Sequence, residues 1–221
     1  MSDNYWEDVY QSKQTDQVSW YQQHPSQTIK FIQSLDLPLQ AKLIDVGSGA
    51  SLFVDQLIEA GYKNLHVLDL SETALNTTQA RLLEKNLDSS HIDWQVADIC
   101  TVVLEPQHYD LWHDRAVFHF MVTEVHQQQY LHNVRQALKP NGFMILSTFA
   151  EDGPTQCSGL PVERYSVEKL AQKLGRNFIL LRHEVEIHIT PWNTEQRFLN
   201  TIWQFKNEYF KKRDEVSLIS N

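Results

Sequence analysis

The chain has 221 residues, 42% of them hydrophobic, with a formal charge of -9 and a pI near 5.5. That length carries enough apolar side chain for a substantial core and favours one compact domain, while the acidic balance argues against a broad grip on phosphate backbones, so no nucleic-acid partner is expected. Cys100 and Cys157 are too few for a disulfide framework and lack zinc-site clustering; with neither a secretory signal at the start nor a bilayer-spanning run, a soluble cytoplasmic protein with reduced thiols is expected.

Residues 1–40 carry aromatics at Tyr5, Trp6, Tyr10, Trp20 and Tyr21 and end in a helix-like stretch over 26–35. They read as a helical segment of the same domain, with its aromatics either closing a pocket as a lid or packed on a sheet edge. Over 41–206 lies the main domain, and 207–221 reads as a polar tail. Between Ala41 and Phe149 short apolar runs alternate with amphipathic stretches, as in a parallel sheet with helical crossovers, which makes the fold class α/β. Residues 42–46 form the first strand, followed by a helix from about Ser51 that turns Leu52, Phe53, Leu57 and Ile58 inward and stops at Gly61. The second strand spans 65–70, and Ser71 caps a helix running through Leu83. Residues 92–96 and 109–113 are the third and fourth strands. A helix around 126–138 ends at Lys139-Pro140-Asn141-Gly142, where a tight turn leads into a fifth strand over 142–149. A helix capped by Ser166 runs to Leu174, and strands over 178–187 and 196–206 close the chain, separated by the turn-prone Thr190-Pro191-Trp192-Asn193.

The chemistry gathers at the ends of the first three strands. In Asp45-Val46-Gly47-Ser48-Gly49 the glycines let a ligand approach the backbone, next to the donors of a helix N-terminus. Alone this is also an ordinary strand-to-helix turn. Asp69 stands ~20 residues further on, where a carboxylate accepts hydrogen bonds from both ribose hydroxyls. Asp98, after the third strand, is placed to accept from an adenine amine. No third glycine follows, since Phe53-Val54 occupies that stretch, and this argues against a dinucleotide with its pyrophosphate.

These motifs, together with Ala97-Asp98-Ile99, Tyr109-Asp110-Leu111-Trp112-His113-Asp114 and Leu138-Lys139-Pro140-Asn141-Gly142, resemble the class I S-adenosylmethionine-dependent methyltransferases. The resemblance implies a Rossmann-like three-layer sandwich whose mostly parallel seven-stranded sheet has an antiparallel last strand. It implies S-adenosylmethionine as donor and S-adenosylhomocysteine as product. Gly47, Ser48 and Gly49 then border the methionine part, Asp69 binds the ribose and Asp98 lies by the adenine. Leu70 and Ile99 either sandwich the base or are plain core residues. Trp20 and Tyr21 are candidates for closing the pocket.

An activated sulfonium methyl needs alignment and dryness more than a dedicated catalyst. The segment 112–120 is the expected wall of the acceptor chamber. Asp114 is a candidate for binding the methionine ammonium or orienting an acceptor, or else is a helix cap or a partner of Arg115. His119 is a candidate base or a half-buried histidine. The loop over 151–161, with Cys157, has the make-up of a substrate loop, beside which Arg164 and Tyr165 are candidates to hold a polar acceptor. The histidines show no metal-ligand motif, and no metal is expected. A small-molecule acceptor is the first reading, a protein lysine the second, and a catalytically silent donor-binding module the third.

Overall fold

The computed structural model describes residues 4–23 and 26–206, so the polar tail over 207–221 lies outside the described residues. Helices α1 (Tyr5–Ser12) and α2 (Ser26–Gln33) precede β1 (Lys42–Val46), α3 (Phe53–Glu59), β2 (Asn64–Asp69), α4 (Glu72–Glu84), β3 (Ile92–Val96), β4 (Tyr109–Arg115) and α5 (Glu124–Ala137). Then come β5 (Leu138–Phe149), a small hairpin of β6 (Gln156–Cys157) and β7 (Leu160–Pro161), α6 (Val167–Leu174), β8 (Phe178–Ile189) and β9 (Glu195–Phe205). The main sheet has seven strands in the order β3-β2-β1-β4-β5-β9-β8. All of its neighbours pair in parallel except β9, which is antiparallel to both β5 and β8, so the expected architecture is the one found.

The two-residue period of the strands builds two cores, one on each face. Leu111, Ile145 and Ile202 face α2 and α3, in a cluster with Phe31, Phe53 and Leu57. Trp112, Met144, Leu146 and Trp203 face α5 and α6, among Tyr130, Leu131 and Leu170. Trp112 is fully buried and its indole N–H donates to the Tyr130 hydroxyl at 3.0 Å, so its one polar atom is satisfied.

Local signals fixed the helix starts. Ser71, Thr123 and Ser166 each accept from the backbone N–H three residues on, at 3.1, 3.3 and 3.2 Å. The 142 boundary is corrected: β5 begins at Leu138, which pairs with Tyr109, and Asn141 adopts φ +66° within the strand. The turn chemistry of Asn141-Gly142 therefore produces a bulge in the strand, in place of a break before it. No described helix is long and apolar enough to cross a membrane.

Candidate active site

β1 runs into a turn in which Gly47 and Gly49 take φ +64° and +54°, the left-handed region where a side chain is strained. The Gly47 and Ser48 N–H groups donate to the Leu68 carbonyl at 2.7 and 3.2 Å, stitching the turn to the end of β2. Asp69 completes the join, its Oδ2 accepting from Gly49 N–H and its Oδ1 from Ser71 N–H, both at 2.8 Å. From behind, Arg81 on α4 donates to the carbonyls of Ala50 and Ser51 at 3.0 and 2.7 Å and to Asp55 on α3 at 2.7 Å, with Lys85 also on Asp55 at 2.8 Å. Burial works against the Asp55 carboxylate, but the Arg81 and Lys85 hydrogen bonds outweigh it and hold the pKa below the ordinary value.

A Cβ at Gly47 would lie 2.0 Å from Val117 Cγ2, and one at Gly49 would lie 2.1 Å from the Tyr10 hydroxyl. Gly47→Ala is therefore expected to weaken S-adenosylhomocysteine binding about tenfold, since strain at φ > 0 and the forced shift of Val117 together cost on the order of 1–2 kcal/mol. Calorimetry on the folded variant measures it.

Two clefts open above this turn. The larger, about 710 Å³, has Gly47, Asp69, Leu70, Asp98 and Ile99 along one side, facing Trp6, Trp20 and Phe120. The smaller, about 580 Å³, is lined by Asp45, Ser48, Ser51, Tyr21 and His113 among others, and Gly47, Tyr10, Trp20 and Arg115 belong to both. Gly49 lines neither, because its N–H is turned to Asp69. The Asp69 carboxylate is buried and its pKa is pushed up to about 6 by that burial, with the Ser71 and Gly49 N–H groups restraining the rise. Asp98 Oδ1 accepts from Cys100 N–H at 2.8 Å, which holds the start of the next loop.

Two residues expected to carry chemistry are placed elsewhere. Asp114 is fully buried, and its oxygens accept from Val117 N–H at 2.9 Å, Phe118 N–H at 3.0 Å and the Tyr130 hydroxyl at 2.5 Å. It points to the α5 face, as Trp112 does, and lines neither cleft; its contacts are those of a cap of the turn after β4, the alternative left open for it in the sequence. His119 is likewise fully buried, between the Phe120 and Phe149 rings, and outside both clefts. Burial, then the charge of Arg115, lowers its pKa to about 3, far from a base at neutral pH. Arg164 donates to the Gly153 carbonyl and Tyr165 is buried against Phe118, so neither reaches the clefts. Cys157 does line the larger cleft, where burial pushes its thiol up to about 11 and keeps it protonated.

The amino-terminal segment lies over this site. Trp6 meets the edges of Phe120 and Trp20, with ring centroids 5.1 and 5.6 Å apart, and the Trp20 indole N–H donates to Tyr10 at 3.3 Å. α1 is fastened through its first turn, on two sides. Glu7 accepts from Ser71 Oγ at 2.7 Å, from Thr73 N–H at 3.2 Å and from Thr73 Oγ1, and the Tyr5 hydroxyl donates to the Ser158 carbonyl on the β6–β7 hairpin. The Thr73 and Ser71 hydroxyls hold the Glu7 carboxyl down at about 2, at the positive end of α4.

Sequence reasoning missed the part played by three of these groups, two of which, His113 and Arg115, it placed only within the expected wall over 112–120. Glu7 carries no motif. His113 Nδ1 meets Asp45 Oδ1 at 2.6 Å in a buried pair under the smaller cleft, with the Phe53 ring 4.1 Å from the imidazole. Pairing of β1 with β4 brings them side by side, and the register Asp45↔His113 was the signal available once the two strands were adjacent. The third is Arg115, the last residue of β4.

Residues 43–142 match the family model of the methyltransferase domain. Among curated relatives, the EEF1A lysine methyltransferase 2 of Danio rerio is 27% identical over 125 residues, covering 54% of this chain and 53% of its own length. The chain thus spans about half the length of that relative. Of solved structures, one described for the conversion of a disulfide bond into a thioacetal group during echinomycin biosynthesis superposes with a TM-score of 0.77 at 15% identity, covering 98% of both chains. The 1,6-didemethyltoxoflavin-N1-methyltransferase of Burkholderia thailandensis, solved with 1,6-didemethyltoxoflavin and S-adenosylhomocysteine, gives 0.64 at 17% identity over 90% of this chain and 82% of its own.

Proposed function

We propose that this chain, whose residues 43–142 match the methyltransferase-domain family, is a class I S-adenosylmethionine-dependent methyltransferase that methylates a small-molecule acceptor. The donor supplies a methyl carbon already activated on a sulfonium. The chain's residues hold it and keep water out. Asp69 accepts from the ribose hydroxyls, Asp98 lies by the adenine amine, Leu70 and Ile99 flank the base, Gly47 and Ser48 border the methionine, and Trp20 covers it. Glycine at 47 fits this role because a side chain there would fill the space between the turn and Val117.

The observation that carries the small-molecule reading is the roof. The first turn of α1 is tied to the start of α4 through Glu7 and to the β6–β7 hairpin through Tyr5, so its Trp6, with Trp20 and Phe120, partly roofs the larger cleft. A partly roofed cleft lined by aromatic side chains suits a small molecule, which buries most of its surface in such a site. The second reading, a protein lysine acceptor, is favoured by the Danio rerio relative. Incubating the protein with labelled donor plus a metabolite extract, and separately plus a proteome, separates them: label in small molecules supports the first, and label confined to one defined protein refutes it. Donor binding without label in either pool points to a silent binding module.

The raised pKa of Asp69 gives a pH dependence with a fixed sign. Its ionised form accepts from both ribose hydroxyls, so below a pKa of about 6 binding must first expel a proton. Affinity for S-adenosylhomocysteine is expected to be flat above pH ~7 and to fall up to about tenfold per pH unit below ~6. Asp69's own contribution to donor-free stability has the opposite trend, present below its unfolded value of 3.8 and lost as pH rises through about 6. Calorimetry from pH 5 to 8 tests the first; an Asp69→Asn variant that keeps the slope would refute it.

A further inference from the structure

Arg115 stands where the two clefts meet and forms part of both walls. Its Nη1 donates to the Trp20 carbonyl at 3.0 Å, and its guanidinium lies over the Phe198 ring, 4.4 Å from the centroid. The side chain is therefore fixed by its back and one corner. Nε and Nη2, which share one edge of the guanidinium, are shut off from solvent and meet no acceptor among the described residues. Glu186, whose charge acts on Arg115, and Asp114, its neighbour in the chain, are engaged elsewhere. Glu186 accepts from Gln22 Nε2 and Asn200 Nδ2, each at 2.8 Å, and Asp114 caps the turn at 117–118. Burial lowers the Arg115 pKa to about 10, with Glu186 opposing, so the group remains a cation at neutral pH. A buried cation with two parallel donors unmet is costly to keep, and that edge has the spacing of the two oxygens of a carboxylate.

We propose that the Nε–Nη2 edge of Arg115 holds a carboxylate of the acceptor, which makes the acceptor class a small, largely apolar acid. This rests on the small-molecule reading above. Apart from Asp69 and Asp98, assigned above to the donor's nucleoside, the larger cleft around Arg115 is apolar or neutral, with Trp6, Trp20, Val117, Phe120 and the protonated Cys157 in its lining. The same cation disfavours an alkylammonium such as lysine, which would enter a poorly solvated space beside a fixed like charge. Arg115 orients the acid, and the nucleophilic atom is a separate atom of the same molecule.

The test uses the full chain loaded with S-adenosylhomocysteine and a panel of small aromatic monocarboxylates, each paired with its neutral amide, followed by the fluorescence of the chamber tryptophans. The carboxylates are expected to bind at least about tenfold tighter than their amides, a preference that Arg115→Gln and Arg115→Lys abolish while S-adenosylhomocysteine affinity stays within about threefold. Lysine keeps the charge and the bond to Trp20 but not the two-pronged edge, so it decides the matter if the glutamine variant does not fold. The proposal is overturned if no acid outbinds its amide, if Arg115→Lys keeps the full preference, or if either folded variant weakens S-adenosylhomocysteine more than about tenfold, which would give the edge to the donor's own carboxylate. Label found only in protein would overturn the small-molecule reading separately, without bearing on the acid-against-amide comparison.

Discussion

Asp69→Ala is expected to raise the Kd for S-adenosylhomocysteine by roughly 100- to 1,000-fold, a loss of ~3–4 kcal/mol. Two effects add. The variant removes the acceptor for the ribose hydroxyls, leaving those polar groups buried without a partner. It also frees Gly49 N–H and Ser71 N–H, which now meet the carboxylate at 2.8 Å, so the glycine turn and the start of α4 lose the group that joins them. Asp69→Asn keeps one acceptor oxygen and should fall between alanine and wild type. Calorimetry at pH 7.5 reads both, and circular dichroism checks that the fold survives. Unchanged affinity in the alanine variant would remove the nucleoside from this site.

The parts of this molecule legible in the sequence are those set by local chemistry. The strand ends carrying Gly47, Asp69 and Asp98 were readable because a turn needing φ > 0 and a carboxylate after an apolar run leave marks within a few residues. The Ser71 and Ser166 caps were readable for the same reason. Asp114 shows the opposite case. From sequence it is an acidic residue at the carboxyl end of a strand, where ligands gather, and only the direction of its side chain shows that it serves the turn. That direction follows from strand parity, which sends Asp114 to the side of Trp112 and Tyr130 while His113 faces Phe53. For His119 the sequence left a base and a half-buried histidine open, and the one-turn helix over Phe118–Phe120 carries it fully into the core. Glu7 and Arg115 act through contacts with residues distant in the chain, Ser71 and Trp20, and such pairings leave no local trace.

The largest effect on stability is expected at Asp114. Truncation to alanine leaves the Val117 and Phe118 N–H groups and the Tyr130 hydroxyl in a sealed core without their acceptor. At ~1–3 kcal/mol for each orphaned donor, partly relieved by relaxation, the loss is expected to be ~3–5 kcal/mol, which for a chain of this size lowers Tm by roughly 6–20 °C. Burial raises the Asp114 pKa to about 6, against the pull of the Tyr130, Val117 and Phe118 hydrogen bonds. A folded-state pKa above the unfolded 3.8 means that the stability linked to this proton is fully present below 3.8 and is lost as pH rises through about 6. The deficit of Asp114→Ala relative to wild type should therefore be larger near pH 4 than near pH 7. Urea melts of both proteins at the two pH values measure it, and Asp114→Ala should leave the S-adenosylhomocysteine affinity of the folded fraction within about threefold of wild type, because the carboxylate touches neither cleft. A large loss of donor affinity in a variant that melts normally would return Asp114 to the binding site.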